Sequence, residues 1–120
     1  MIPVTLASGA PLERENLIAG AIDPSGTSVV ILEGLPTASS ALDDLAAAAQ
    51  DRLQLIRVAA GCICCTGNLV MRVTLNRVLR QRPQHIYIGI ADPGHVDGVK
   101  NFLSSPPYAA LVHLDKHLSG

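Results

Sequence analysis

The stretch "IPVTLASGAPLERENLIAG", residues 2–20, decides the fold prediction, because it reads as a buried strand, a turn and a helix. Residues 4–8 form a short apolar run, and Gly9 marks a turn directly after it. Pro11 suits the first position of a helix, which we predict over residues 11–22.

The rest of the chain repeats this alternation of strand and helix. We predict further strands over residues 27–33, 53–59, 85–91 and 109–115, and further helices over 40–52, 67–82 and about 95–104. The strands are almost continuously apolar, which is typical of parallel strands covered on both faces. We therefore expect an α/β fold: a doubly wound, mainly parallel sheet of about five strands with helices on both faces.

Composition excludes several classes of protein. A chain of 120 residues that is 48% hydrophobic is long enough for one domain, expected over residues 1–120, with a buried core. Lys and Arg are scattered at a net charge of −1 and aromatic residues make up 2%, so we expect no nucleic-acid partner. There is no apolar stretch of about 20 residues and no basic segment at the start, so we expect a cytoplasmic protein with no membrane partner.

The turn after the first strand is where a nucleotide-binding domain has its phosphate loop, Gly-x-x-x-x-Gly-Lys-Ser/Thr. With that pattern laid from Gly9, Arg14 stands at the second glycine, Glu15 at the lysine and Asn16 at the hydroxyl residue. Arg14 has a side chain where a bare backbone is needed, and Glu15 inverts the sign of the charge that would meet the phosphates. We interpret this as a degenerate Walker A motif, and we expect neither GTP binding nor catalytic residues.

All three cysteines lie in "GCICCTGN", residues 61–68. Cys62, Cys64 and Cys65 can together deliver up to three thiolates to zinc or another transition metal. Cysteines packed this closely cannot join distant parts of the fold, so a disulfide framework is excluded.

Zinc normally takes four ligands, so a fourth must come from elsewhere. The candidates are Glu33, Asp92, His95, a solvent molecule or a second copy of the chain. Glu33 ends the predicted second strand, whereas Asp92 and His95 follow the fourth, at the edge where α/β sheets bind ligands.

Two other interpretations of the cysteines stay open. The motif could be inherited and idle, or a thiol could act in redox or nucleophilic chemistry, with its pKa lowered by the following helix. The redox interpretation lacks the Cys-x-x-Cys spacing of thiol oxidoreductases. His113 lies in the predicted fifth strand and His117 in a tail beyond it, so we expect no helical pair of histidine ligands.

Four landmarks resemble one family: "IPVTL" followed by "SG", then "VVILEG", then "GCICC" before an amphipathic helix, then "RPQHIYIGIADPGHVDGV". Their order and spacing look like the N-terminal part of the CobW-type P-loop GTPases (cobalamin synthesis and metallochaperone proteins). In that family the Gly-Cys-x-Cys-Cys motif binds zinc or another transition metal. The resemblance implies a truncated P-loop NTPase-like fold and a metal site at the cysteines.

The chain also departs from the family pattern. Glu15 replaces the Walker lysine and Asn16 its hydroxyl neighbour, and residues 89–92 read Gly-Ile-Ala-Asp where the family has Glu-x-Thr/Ser-Gly. The sequence stops before an Asn-Lys-x-Asp guanine-specificity loop.

From these observations we expect a non-catalytic CobW-like domain that binds a metal in a metal-homeostasis or regulatory role. Its expected partner is a second copy or an intact homologue. One alternative is a metallochaperone with residual GTP binding and hydrolysis. Another is an oligomeric scaffold with an idle cysteine motif.

Overall fold

The computed structural model describes residues 2–23, 25–34, 41–49, 51–58, 69–91 and 93–119. The three predicted cysteine ligands, Cys62, Cys64 and Cys65, therefore lie outside the described residues, as does Asp92.

The described residues form five strands and four α-helices in strict alternation up to the last strand. The strands are β1 (Ile2–Ser8), β2 (Ser28–Glu33), β3 (Leu53–Val58), β4 (His85–Ile90) and β5 (Val112–Ser119). The helices are α1 (Pro11–Ala21), α2 (Ala41–Ala48), α3 (Leu69–Arg80) and α4 (Val96–Leu103). The strands form one sheet in the order β3-β2-β4-β1-β5, and every pairing is parallel.

Helices cover both faces of this sheet. Ile18 of α1 and Leu42 of α2 belong to the apolar cluster on one face. Met71 and Leu75 of α3, with Val99 of α4, belong to the cluster on the other. The predicted fold class, a doubly wound α/β sheet, is therefore confirmed.

Burial of the strands follows their place in the sheet. β2 is buried along its whole length, and β1 and β4 are buried from their second or third residue onward. β3, at one edge, is buried only at Leu53. The prediction that all strands are covered on both faces is thus right for the three central strands and wrong for the edges, because an edge strand has a neighbour on one side alone.

The fifth strand begins later than the sequence predicts. Residues Tyr108–Ala110 form a 3-10 turn, and the strand runs over Val112–Ser119 instead of 109–115. The ring of Tyr108 is buried against Phe102, with ring centroids 4.8 Å apart, and this contact holds the turn on α4. Placing His117 in a tail was wrong, since it lies in β5 and pairs in register with Leu6.

Membrane spans require long apolar helices. Within the part of the chain that the structure describes, no helix is both long enough and apolar enough for one.

Gly89 provides a test of the packing above β4. A Cβ at this position would lie 2.6 Å from Cδ2 of the buried Leu32, so we expect Gly89→Ala to lower the free energy of unfolding by about 1–3 kcal/mol. Gly20 in α1 is the matched control, because a Cβ there meets nothing within 4 Å and alanine should raise that free energy by about 0.5–1 kcal/mol. Urea denaturation of both variants measures the difference, and equal stabilities would contradict the packing.

Candidate functional site at the carboxyl edge of the sheet

The candidate site lies where the parallel strands β1, β2 and β4 end next to one another. The chain leaves β1 toward the face covered by α1 and leaves β4 toward the face covered by α4. Neighbouring strands whose connections go to opposite faces leave a cleft at their carboxyl ends, which is where α/β proteins bind ligands.

Arg14 connects two of these strand ends. Its buried guanidinium donates a 2.8 Å hydrogen bond to the backbone oxygen of Glu33, at the end of β2, and a 3.0 Å bond to the backbone oxygen of Gly9, just after β1. β4 lies between those strands, and a Cβ at Gly89 would approach Cδ of Arg14 to 3.7 Å. The Arg14 side chain therefore crosses the sheet edge over a position that has no side chain.

The segment aligned with the phosphate-loop pattern is helical. α1 begins at Pro11, and the N–H of Arg14 already donates to the backbone oxygen of Ala10. The turn before the helix consists of Gly9, whose φ of 129° suits glycine, and Ala10. Backbone N–H groups from Arg14 onward consequently serve the helix itself.

Glu15 belongs to a second group of charges. Its side chain is 6% exposed and accepts hydrogen bonds from both terminal nitrogens of Arg57, at 3.4 and 3.2 Å. The same guanidinium donates to the Asp43 carboxylate at 3.0 Å. This cluster joins β3 to the N-terminal halves of α1 and α2, whereas Asn16 is exposed.

The Glu33 carboxylate is fully buried at the end of β2. One oxygen accepts a 2.8 Å hydrogen bond from the N–H of Ala91, and the other lies 3.6 Å from Nδ1 of His95. His95 ends a 3-10 turn, Pro93–His95, immediately before α4, and its side chain is 31% exposed. The structure thus brings two of the predicted ligand candidates together.

The pKa values of Arg14 and Arg57 shift in opposite directions. Burial lowers the pKa of Arg14, against the attraction of the Glu15 and Glu33 carboxylates. For Arg57, burial also acts to lower the pKa, but the hydrogen bonds to Glu15 and Asp43 outweigh it and leave the pKa raised. Both guanidinium groups stay protonated, so each is a permanent positive charge at the site.

Four of the predicted metal ligands lie outside the described residues: Cys62, Cys64, Cys65 and Asp92. Among the residues that are described, no group of three or more His, Cys, Asp or Glu side chains is placed to hold a metal.

Arg57 and Asp43 were not among the residues predicted from the sequence. Arg57 is the one charged residue of strand β3, and a charge near the end of an otherwise uncharged, partly buried strand indicates a partner. The identity of that partner depends on how α1 and α2 pack over the sheet, which periodicity does not reveal.

Comparison with known proteins gives a partial match. A 61-residue segment, 50% of this chain, is 34% identical to the zinc chaperone YeiR of Escherichia coli (strain K12). That segment spans 19% of the length of YeiR. No family model and no solved structure matches the chain. The match supports the CobW-type resemblance and relates the chain to a metal-handling protein over half its length.

Replacing Arg14 tests the connection between the strand ends. We expect Arg14→Met to lower the free energy of unfolding by about 3 kcal/mol, because two backbone oxygens lose their donor and nearby carboxylates lose a positive charge. The free energy of unfolding of Arg14→Lys should lie between those of the parent and Arg14→Met, because lysine keeps the positive charge but lacks the planar guanidinium with its two donor nitrogens. The control is the exposed Arg72→Met, expected within about 0.5 kcal/mol of the parent. Equal losses for Arg14→Met and Arg72→Met in urea denaturation would refute this role.

Proposed function

We propose that this chain is a non-catalytic, CobW-like metal-binding domain that does not bind nucleotide. Its metal, zinc or another transition metal, would be held by Cys62, Cys64 and Cys65, in a metal-homeostasis or regulatory role. The observation that carries the proposal is the placement of Arg14, whose guanidinium spans the strand ends where a phosphate loop would hold its ligand.

Three contacts support the absence of a nucleotide site. The Arg14 guanidinium donates to Gly9 and Glu33 from within α1, and Glu15 holds Arg57 at the position of the phosphate-binding lysine. A phosphate loop needs N–H groups that converge on the anion, whereas here the chain is helical from Pro11. A triphosphate at this turn would also meet the exposed carboxylate of Glu13 in the first turn of α1.

The chemistry of the neighbouring side chains suits a metal. Zinc binds carboxylate oxygen and imidazole nitrogen at about 2.0–2.2 Å, so two such ligands of one tetrahedral ion lie roughly 3.2–3.5 Å apart. The 3.6 Å between Glu33 Oε2 and His95 Nδ1 is close to that separation. One oxygen of Glu33 is oriented by the Ala91 N–H, as metal-binding carboxylates commonly are.

Chain geometry supports a site near Glu33. Val58, the last residue of β3, pairs in register with Glu33, and its backbone oxygen accepts a 2.7 Å hydrogen bond from Gly34. Cys62 follows Val58 by four residues, which limits their Cα separation to about 15 Å. Glu33 and His95 are therefore proposed as supplementary ligands, with Asp92 as a further candidate.

Zinc affinity tests the metal-binding part of the proposal. In competition with a chromophoric chelator, the reduced protein should bind one zinc ion per chain, and Cys62→Ser/Cys64→Ser/Cys65→Ser should lose this binding. Glu33→Gln should weaken it by about 10–100-fold if the carboxylate supplements the thiolates. The exposed Asp97→Asn is the matched control for removing a carboxylate. Equal zinc affinity for the parent and the triple-serine variant would refute the cysteine site.

Thermal unfolding with GTP and Mg²⁺ tests the nucleotide part. A ligand present at about 100 times its Kd would stabilise the fold by about 2.7 kcal/mol, and we expect no change in Tm at millimolar GTP. Zinc added to the same protein is the positive control for a detectable shift. A rise in Tm that requires both GTP and Mg²⁺ would favour the alternative of a GTP-dependent metallochaperone.

A further inference from the structure

Charge is strongly segregated along this chain despite its net charge of −1, so the interpretation of its Lys and Arg residues as scattered was wrong. Seven of the ten acidic residues fall within residues 11–51, where Arg14 is the sole basic residue. Residues 52–91 hold six arginines and no acidic residue. Because α1 and α2 come from the first segment and α3 from the second, acidic and basic helices lie on opposite faces of the sheet, while Arg57 of β3 pairs with the acidic helices.

The outward face of α3 is basic with an apolar centre. Its buried face carries Met71, Leu75 and Val78, while Arg72, Val73, Asn76, Arg77 and Arg80 are exposed. Val73 is 52% exposed, and it shares one stripe with Arg77 and Arg80 at helical spacing. Within the described part of the chain, no carboxylate forms an ion pair with these arginines.

The opposite face carries a groove of complementary character between α1 and α2. Small or apolar residues form its floor: Ala19 and Gly20 of α1, with Leu45 and Ala48 of α2. Leu45 is 37% exposed, as a residue that packs against a partner would be. Small side chains let another helix approach closely, since the distance between packed helices depends on the residues at the contact.

The rim of this groove is acidic. Asp44 lines it directly, and Glu13 is exposed on the first turn of α1. The buried carboxylate of Glu15 and the partly exposed carboxylate of Asp43 lie beneath it, although Arg57 offsets their charge. An apolar, acidic-rimmed groove thus matches an apolar, basic helix face in both shape and charge.

We propose that α3 of one molecule docks into the α1–α2 groove of a second copy of this chain. The sheet separates the two surfaces, so one molecule cannot bring its own α3 to its own groove. In a two-fold dimer, α3 and the α1–α2 groove of each molecule would have to lie in the same interface, but they are on opposite sides of the sheet. The contact is therefore head-to-tail, and further copies can add at each end.

The size of the surfaces sets the strength of this contact. A helix of 12 residues is about 18 Å long, and one helix in a groove buries an area at or below the low end, about 1,200 Å², of specific interfaces. The association is therefore weak, depends on protein concentration and is screened by salt. The Debye screening length falls from about 30 Å at 0.01 M salt to about 3 Å at 1 M salt. High salt should therefore weaken the attraction between the basic helix face and the acidic groove.

Sedimentation equilibrium of the nuclease-treated protein tests the proposal. The mean mass should rise with protein concentration at low salt and return to that of the monomer at high salt. Arg77→Glu on α3 and Asp44→Arg on the groove rim should each raise the dissociation constant at least about tenfold, because each puts like charges together. Circular dichroism melts show whether the variants are folded.

Mixing the two variants provides the decisive measurement. Arg77→Glu retains an intact groove and Asp44→Arg an intact α3, and the two reversed charges also attract each other, so an equimolar mixture should regain the concentration-dependent association of the parent. Lys116→Glu, an exposed charge reversal on β5, is the matched control and should associate like the parent.

Four outcomes would overturn the proposal. These are a parent that stays monomeric at low salt, variants that associate like the parent, a mixture that stays monomeric, and loss of association in Lys116→Glu. Binding of a DNA oligonucleotide through Arg77 by a monomeric parent would likewise replace it with a nucleic-acid surface.

Discussion

The arrangement at the carboxyl edge depends on one buried positive charge, the guanidinium of Arg14. A buried charge is tolerated only where hydrogen bonds and opposite charges compensate it, and here two backbone oxygens and two nearby carboxylates do so. Its side chain passes Gly89, where a Cβ would lie 3.7 Å from Cδ of Arg14. Because Arg14 uses the backbone oxygen of Glu33, the carboxylate of that residue remains directed toward Ala91 and His95.

The charges in the interior are arranged differently from the charges at the surface. Arg14 and Arg57 neutralise the buried carboxylates of Glu15 and Glu33 near the sheet, and Asp43 shares Arg57. At the surface, the exposed charges of α1 and α2 are acidic, and those of α3 are basic. A net charge close to zero therefore hides a polarised molecule, and the sheet is the boundary between the two signs.

Much of the fold could be predicted from the sequence, because apolar runs and turn residues are local signals. The five strands and four helices followed from them. The start of β5 did not, because it is set by the packing of Tyr108 against Phe102. The contacts of Arg14 and Arg57 could not be predicted either. Alignment with the phosphate-loop motif indicates which residues are unsuited to binding phosphate, but it does not indicate what their side chains contact instead.

We propose that this chain combines a metal motif with a turn whose charged residues bind one another, so that it binds metal without binding nucleotide. Native mass spectrometry of the reduced protein, incubated with both zinc and GTP–Mg²⁺, tests this in one spectrum. We expect chains that carry one zinc ion and no nucleotide. Chains that carry GTP, or chains that retain no zinc, would contradict the proposal.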